Sequence, residues 1–270
     1  LLSSSYYINL NKYIKFEVTP RTNIIPTTGD PVLSSAIGPI NEINYFNHIL
    51  STGQSLSTGT NGAPALSTTQ PYNNKMLSGA SLVPLVESGV ETMSSALANT
   101  LTSLSPGGNF QSAVTRHGVG GTAYSGLKKG TSPYSNGIAQ VTNVRNAATA
   151  LGLVDRVIGV TTIHGESDHL AGTGASYESY LVEWQNDYET DVKAITGQSS
   201  DIPLFTDQMS SQTGYNAATS LIPMAQLSAS VNNPGEIILV GPKYFLNYSD
   251  SAHLNAASYR WLGEYYGKVI

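Results

Sequence analysis

From about residue 41 onward, short runs of β-branched and apolar residues alternate with stretches whose apolar positions recur every three or four residues. Five strands are predicted, near 46–51, 110–115, 157–163, 203–207 and 236–240. Between the first two, Val86, Val90, Met93, Leu97, Leu101 and Leu104 carry a helical period that ends at Ser105-Pro106-Gly107. Ile138, Val141, Ala148 and Leu151 mark the next helix, stopped by Gly152. A longer one carries Tyr177, Tyr180, Leu181, Trp184, Tyr188, Val192 and Ile195 on one face, with Ser176 as N-cap and Gly197 as stop. A helical stretch around 217–230 and a closing helix over 255–269 complete the series. Such alternation predicts a mostly parallel sheet covered by helices.

The first forty residues read differently. Tyr6 to Leu10 and Tyr13 to Val18 cluster β-formers, and Pro20, Pro26 and Pro31 then interrupt them. This predicts a β-rich segment and linker over 1–40, ahead of a main domain over 41–270. The stretch from Lys12 to Pro20, with Pro31 to Ser35 after it, resembles the closing strands of fibronectin-III-like modules. An opening Leu1 in place of Met adds the expectation of a longer, multidomain chain.

Composition narrows the class of partner. Only 11% of the 270 residues are charged, against roughly 25% in an average soluble protein, and Ser, Thr, Asn, Gly and Tyr fill the difference. A surface of neutral hydrogen-bonding groups suits work outside cells or on glycans, and 16 Tyr against 5 Phe lean the same way. A net charge of -5 with 13 Lys and Arg provides no basic stripe for nucleic acid. Without cysteine there is no disulfide, no thiolate nucleophile and no Cys-ligated zinc. The longest apolar runs are too short to cross a bilayer, so no membrane insertion is expected.

In open parallel sheets ligands bind beyond the carboxyl ends of the strands, so the residues leaving each strand carry the candidate chemistry. The first strand runs into Ser51-Thr52-Gly53-Gln54-Ser55, which presents a hydroxyl on a turn. The second leads to His117-Gly118-Val119-Gly120-Gly121-Thr122, where paired glycines let backbone N–H groups face a developing oxyanion. After the third comes His164-Gly165-Glu166-Ser167-Asp168-His169, readable as a metal site, a structural loop, or a cluster in which His164 and Glu166 position substrate or help form an oxyanion hole. The fifth leads to Asp250-Ser251-Ala252-His253. If the first and fifth exits converge, Ser55 is a nucleophile, His253 its general base, and Asp250 orients the imidazole. The Gly-x-Ser-x-Gly elbow of α/β-hydrolases does not occur at Ser55, where Ser57 holds the fifth position.

Gly53-Gln54-Ser55, Gly120-Gly121-Thr122, His164-Gly165-Glu166-Ser167-Asp168 and Asp250-Ser251-Ala252-His253, in that order, resemble the SGNH or GDSL-like hydrolases. The likeness is to their carbohydrate-esterase branch, which includes sialate O-acetylesterases and acetylxylan esterases, and it spans about 45–270. The resemblance implies a three-layer α/β/α fold of flavodoxin-like type with a five-stranded parallel sheet. It also implies an oxyanion hole from the Ser55 N–H, a glycine N–H of Gly120 or Gly121 and a third-block side chain, and no metal or organic cofactor. Gln54 and Glu166 are then expected to position substrate. The chain departs from the pattern where His164 replaces the usual Gln before Gly-Glu-Ser-Asp, and an imidazole there would make the hole sensitive to pH near 6.5.

Together these features predict a secreted, serine-dependent esterase that removes O-acetyl groups from a polysaccharide or glycan. The competing expectations are a non-catalytic carbohydrate-binding or adhesion domain on an esterase-like fold, and an esterase of lipids or small molecules.

Overall fold

In a computed structural model of the chain, the described residues are 17–18, 30–33 and 44–270. The chain divides into two compact units, 1–44 and 45–270. In the first, strands β1 (Glu17–Val18) and β2 (Val32–Leu33) pair antiparallel, with Glu17 opposite Leu33 and Val18 opposite Val32. The remainder of the fibronectin-III-like expectation lies outside the described residues.

The second unit is built on one sheet. Its strands are β3 (Tyr45–Gly53), β4 (Lys75–Ser78), β5 (Ser81–Pro84), β6 (Ser112–Arg116), β7 (Val154–Ile163), β8 (Leu204–Gln208) and β9 (Ile237–Pro242), in the spatial order β5-β4-β6-β3-β7-β8-β9. Six run parallel, and β5 opposes β4 in a tight hairpin. The expected five parallel strands are therefore present, but the sheet has seven. The extra pair escaped the sequence because Lys75–Ser78 and Ser81–Pro84 are short edge strands with no buried residue, so little alternation marks them.

Helices α1 (Ser94–Leu104) and α6 (Ala256–Val269) cover one face, while α2 (Ser132–Ala150), α4 (Tyr177–Thr196) and α5 (Ile222–Asn232) cover the other. The strands feed both layers. Ile49 and Phe205 pack with Leu97, Leu262 and Tyr266, whereas their neighbours Leu50 and Leu204 pack with Tyr188, Trp184 and Val192. Beyond Tyr45 every residue of β3 is buried, as a central parallel strand requires.

The first helix is shorter than its period suggested. Val86 and Val90 precede α1, in a stretch where Ser88 and Val90 form an isolated bridge about Gly89. The cause is Glu87, whose buried carboxylate accepts from Thr92 Oγ1, Ser95 N and Ser95 Oγ. A carboxylate holding free N–H groups of the first turn starts the helix there. A short helix, α3 (Glu166–Ala171), also follows β7. At the closing helix, Asn255 is the N-cap, its side chain accepting from Ser258 N at 2.9 Å.

Candidate active site

The carboxyl ends of β3, β6, β7, β8 and β9 meet along one edge of the sheet. Ser55 is set by the end of β3. Gly53 has φ +125°, and a Cβ there would lie 2.4 Å from the Ile163 carbonyl oxygen, so only glycine lets β3 turn this close to β7. The Gln54 N–H donates to that same oxygen, and Ser55 then opens a 3-10 turn, Ser55–Thr58. Ser57 Oγ and Thr58 Oγ1 donate back to the carbonyls of Gln54 and Ser55. The nucleophile candidate thus sits on a rigid turn.

His253 comes to it from the loop after β9, 2.8 Å from Nε2 to Ser55 Oγ. Its Nδ1 lies 2.8 Å from Asp250 Oδ2. Asp250 Oδ2 also accepts from Asn61 Nδ2 at 2.7 Å, and Oδ1 accepts the N–H groups of Ala252 and His253. Partial burial opposes ionisation of this carboxyl, but its hydrogen bonds outweigh it and the pKa falls to about 2. An ionised Asp250 obliges Nδ1 to carry the proton, which leaves Nε2 as an acceptor facing the Ser55 hydroxyl.

Gly120 and Gly121 line the same cleft. A Cβ on Gly120 would lie 3.7 Å from Ser55 Cβ, so its backbone faces the serine directly. Among the described residues the N–H groups of Ser55 and Gly120 have no hydrogen-bond acceptor. Two donors next to a hydroxyl are the arrangement an oxyanion needs.

His164 does not join them. It is wholly buried, and its Nε2 donates to the Thr122 carbonyl at 3.0 Å while Nδ1 pairs with the Tyr177 hydroxyl at 2.7 Å. With both nitrogens engaged, no donor remains for an oxyanion. Burial, outweighing the nearby carboxylate of Asp168, lowers its pKa and keeps the ring neutral, so a titration near 6.5 is not expected. What His164 does is hold the Gly120–Thr122 loop from below.

Glu166 likewise turns away from the cleft, accepting from Ser211 Oγ at 3.0 Å and pairing with Lys243 Nζ at 3.1 Å. The expected substrate contact is therefore replaced by an internal ion pair. Gln54 does line the cleft, and its Oε1 accepts the Ser167 N–H at 2.9 Å, tying α3 to the nucleophile turn. Asp168 accepts from Tyr124 N at 2.8 Å and Thr173 Oγ1 at 2.6 Å. Among the described residues no three His, Asp or Glu side chains are grouped to hold a metal ion.

The cleft above Ser55 and His253 has a volume of about 670 Å³. Ala123, Ser167, Leu170, Ala171, Tyr215 and Thr60 complete its walls. By sequence, no family model and no curated protein matches the chain. By structure, an Arabidopsis thaliana protein superposes with a TM-score of 0.64 at 18% identity, covering 82% of this chain and 96% of its own. NanS follows at 0.59 and 15%, covering 84% and 97%. A carbohydrate acetylesterase from Xanthomonas citri reaches 0.52 at 11%, covering 96% and 70%. The fold is that of the SGNH hydrolases.

On this SGNH scaffold two functional candidates went unread in the sequence. Asp207 is the penultimate residue of β8 and Lys243 follows β9, both fully buried, with Nζ 2.6 Å from Asp207 Oδ2 and 3.1 Å from Glu166 Oε1. Burial works against the ammonium, but the two carboxylates outweigh it and push its pKa up. Burial also opposes ionisation of Glu166, yet Lys243 holds that carboxyl below its usual range, while burial pushes Asp207 up. One cation thus clamps the exits of β7, β8 and β9 beneath the cleft. The scarcity of Lys in the chain was the available signal. Nothing local distinguishes a buried lysine from a solvated one.

Among the described residues no helix is long and apolar enough to cross a membrane.

Proposed function

We propose that the protein is a serine-dependent carbohydrate esterase that removes O-acetyl groups from a polysaccharide or glycan outside the cell. The observation that carries the reading is the unbroken chain of 2.8 Å contacts from Ser55 Oγ through His253 to Asp250.

The chemistry follows from that chain. Ser55 Oγ attacks the ester carbonyl as its proton passes to His253 Nε2, and the ionised Asp250 stabilises the imidazolium. The Ser55 and Gly120 N–H groups receive the negative oxygen of the tetrahedral intermediate. Collapse breaks the bond to the sugar oxygen, which leaves with the proton from His253. Water then attacks the acyl-enzyme with His253 again as base, releasing acetate and restoring Ser55. Carbohydrate as the alcohol is supported by the sparsely charged, Tyr-rich composition and by a fold shared with a carbohydrate acetylesterase.

Acetate release from acetylated xylan, pectin and sialate tests this. Ser55→Ala is expected to lose at least about 10³-fold in turnover. Equal release by wild type and Ser55→Ala removes the nucleophile assignment, and no release by either leaves binding without catalysis.

A further inference from the structure

We infer that Tyr215 forms the sugar subsite of the cleft, stacking on the pyranose that carries the ester and setting a preference for carbohydrate esters over small ones. The inference rests on the esterase reading above and adds to it the place where the alcohol binds.

The order of strand exits orients the substrate. Gly120 leaves β6 on one side of β3, whereas Tyr215 and His253 follow β8 and β9 on the other. The carbonyl oxygen must point toward the Gly120 N–H, and the leaving oxygen must lie within reach of His253, which returns the proton to it. The sugar therefore occupies the β8–β9 side of the cleft.

Tyr215 stands there. It ends the turn Gln212–Tyr215, and Gly214 approaches the His253 loop so closely that a Cβ would lie 2.1 Å from the Ser251 carbonyl oxygen. A larger residue at 214 would push Tyr215 away from the loop that carries Asp250 and His253. The Tyr215 ring is half-buried in the cleft wall beside Leu170 and Ala171, and Leu170 is 64% exposed at the mouth. The Tyr215 ring centroid lies 6.2 Å from that of His169, the two rings tilted by 45°. Tyr215 lines the cleft and is half-buried there, within reach of a ligand that fills it. A pyranose offers the complement, an apolar C–H face edged by hydroxyls. The β6 side, with Gly120, Gly121 and Ala123, offers only small groups and suits the acetyl.

The test compares sugar esters with a small ester. Hydrolysis of peracetylated glucose and acetylated xylo-oligosaccharides is measured beside methyl acetate, for wild type, Tyr215→Ala and Tyr215→Phe, with melting temperatures to confirm folding. Tyr215→Ala is expected to raise KM for the sugar esters about tenfold, leaving methyl acetate within about twofold, while Tyr215→Phe keeps most of the stacking and loses no more than severalfold. An equal loss on sugar and small esters, or none on the sugar esters, overturns the subsite. So does a wild type that hydrolyses methyl acetate without preferring sugars. Methyl acetate hydrolysis abolished by Ser55→Ala but untouched by Tyr215→Ala keeps the nucleophile reading separate, whereas a wild type inert on every ester overturns both.

Discussion

Replacing Lys243 by Met removes the one cation from a cluster that also holds Glu166 and Asp207, at side-chain exposures of 0%, 1% and 0%. The buried charge changes from one positive and two negative to two negative, with almost no solvent contact to screen it. Breaking a buried pair in this way costs about 3–5 kcal/mol. The cheapest relief is to protonate Asp207, which burial already pushes up. From an unfolded pKa of about 3.9, that costs at most about 4 kcal/mol at pH 7 and about 1.5 kcal/mol at pH 5. The variant should therefore lose roughly 3–4 kcal/mol at pH 7, or ~10 °C in Tm for a unit of this size. At pH 5 the loss should shrink to roughly 1–2 kcal/mol. The sign follows from linkage, because a carboxyl whose folded pKa lies above its unfolded value gains stability as pH falls. Urea denaturation of both proteins at pH 5, 6 and 7 measures it, and adding Asp207→Leu to Lys243→Met should recover much of the loss. A penalty below about 1 kcal/mol, or one that is flat with pH, refutes the reasoning that the clamp is charged and dry.

Other consequences can be measured directly. Asp250→Asn keeps the backbone N–H bonds to Oδ1 but turns an amide donor toward His253 Nδ1, selecting the wrong tautomer, so kcat should fall about 10⁴-fold with folding intact by circular dichroism. His48 and His117 are buried, which lowers their pKa values to about 3 and about 4. The unfolded chain binds more protons below pH 6.5, so stability present above that pH should fall by about 3 kcal/mol between pH 6.5 and 5 for the two together. Asp155, pushed up to about 7 by burial, gains stability over the same interval and masks part of this, so Asp155→Asn is the background in which to record the urea curves.

Much of the candidate site's layout was legible because its residues fall at strand exits, and strand exits are marked by local signals. The predicted strands 46–51, 110–115 and 236–240 run out ahead of Gly53-Gln54-Ser55, Gly120-Gly121 and Asp250-Ser251-Ala252-His253, and Gln54, Ser55, Gly120, Gly121 and His253 line one cleft. His164 and Glu166 were misread for the opposite reason. They leave a strand at the right place, but α3 begins at Glu166, so its carboxylate and the His164 ring turn inward to partners far along the chain. A sequence window shows that a polar side chain is present. It does not show which distant group satisfies it.

The sequence by itself determined the strand and helix order, the parallel sheet and the residues that meet at its edge, because hydrophobic period and turn chemistry are local properties of the chain. Only the tertiary structure decided that the sheet gains an edge hairpin and that Glu87 delays the first helix. It alone decided that His164 supports a loop instead of an oxyanion, and that Lys243 ties three strand exits together. The last two depend on a polar group finding its partner across the fold, where burial makes the pairing obligatory and sequence distance makes it invisible.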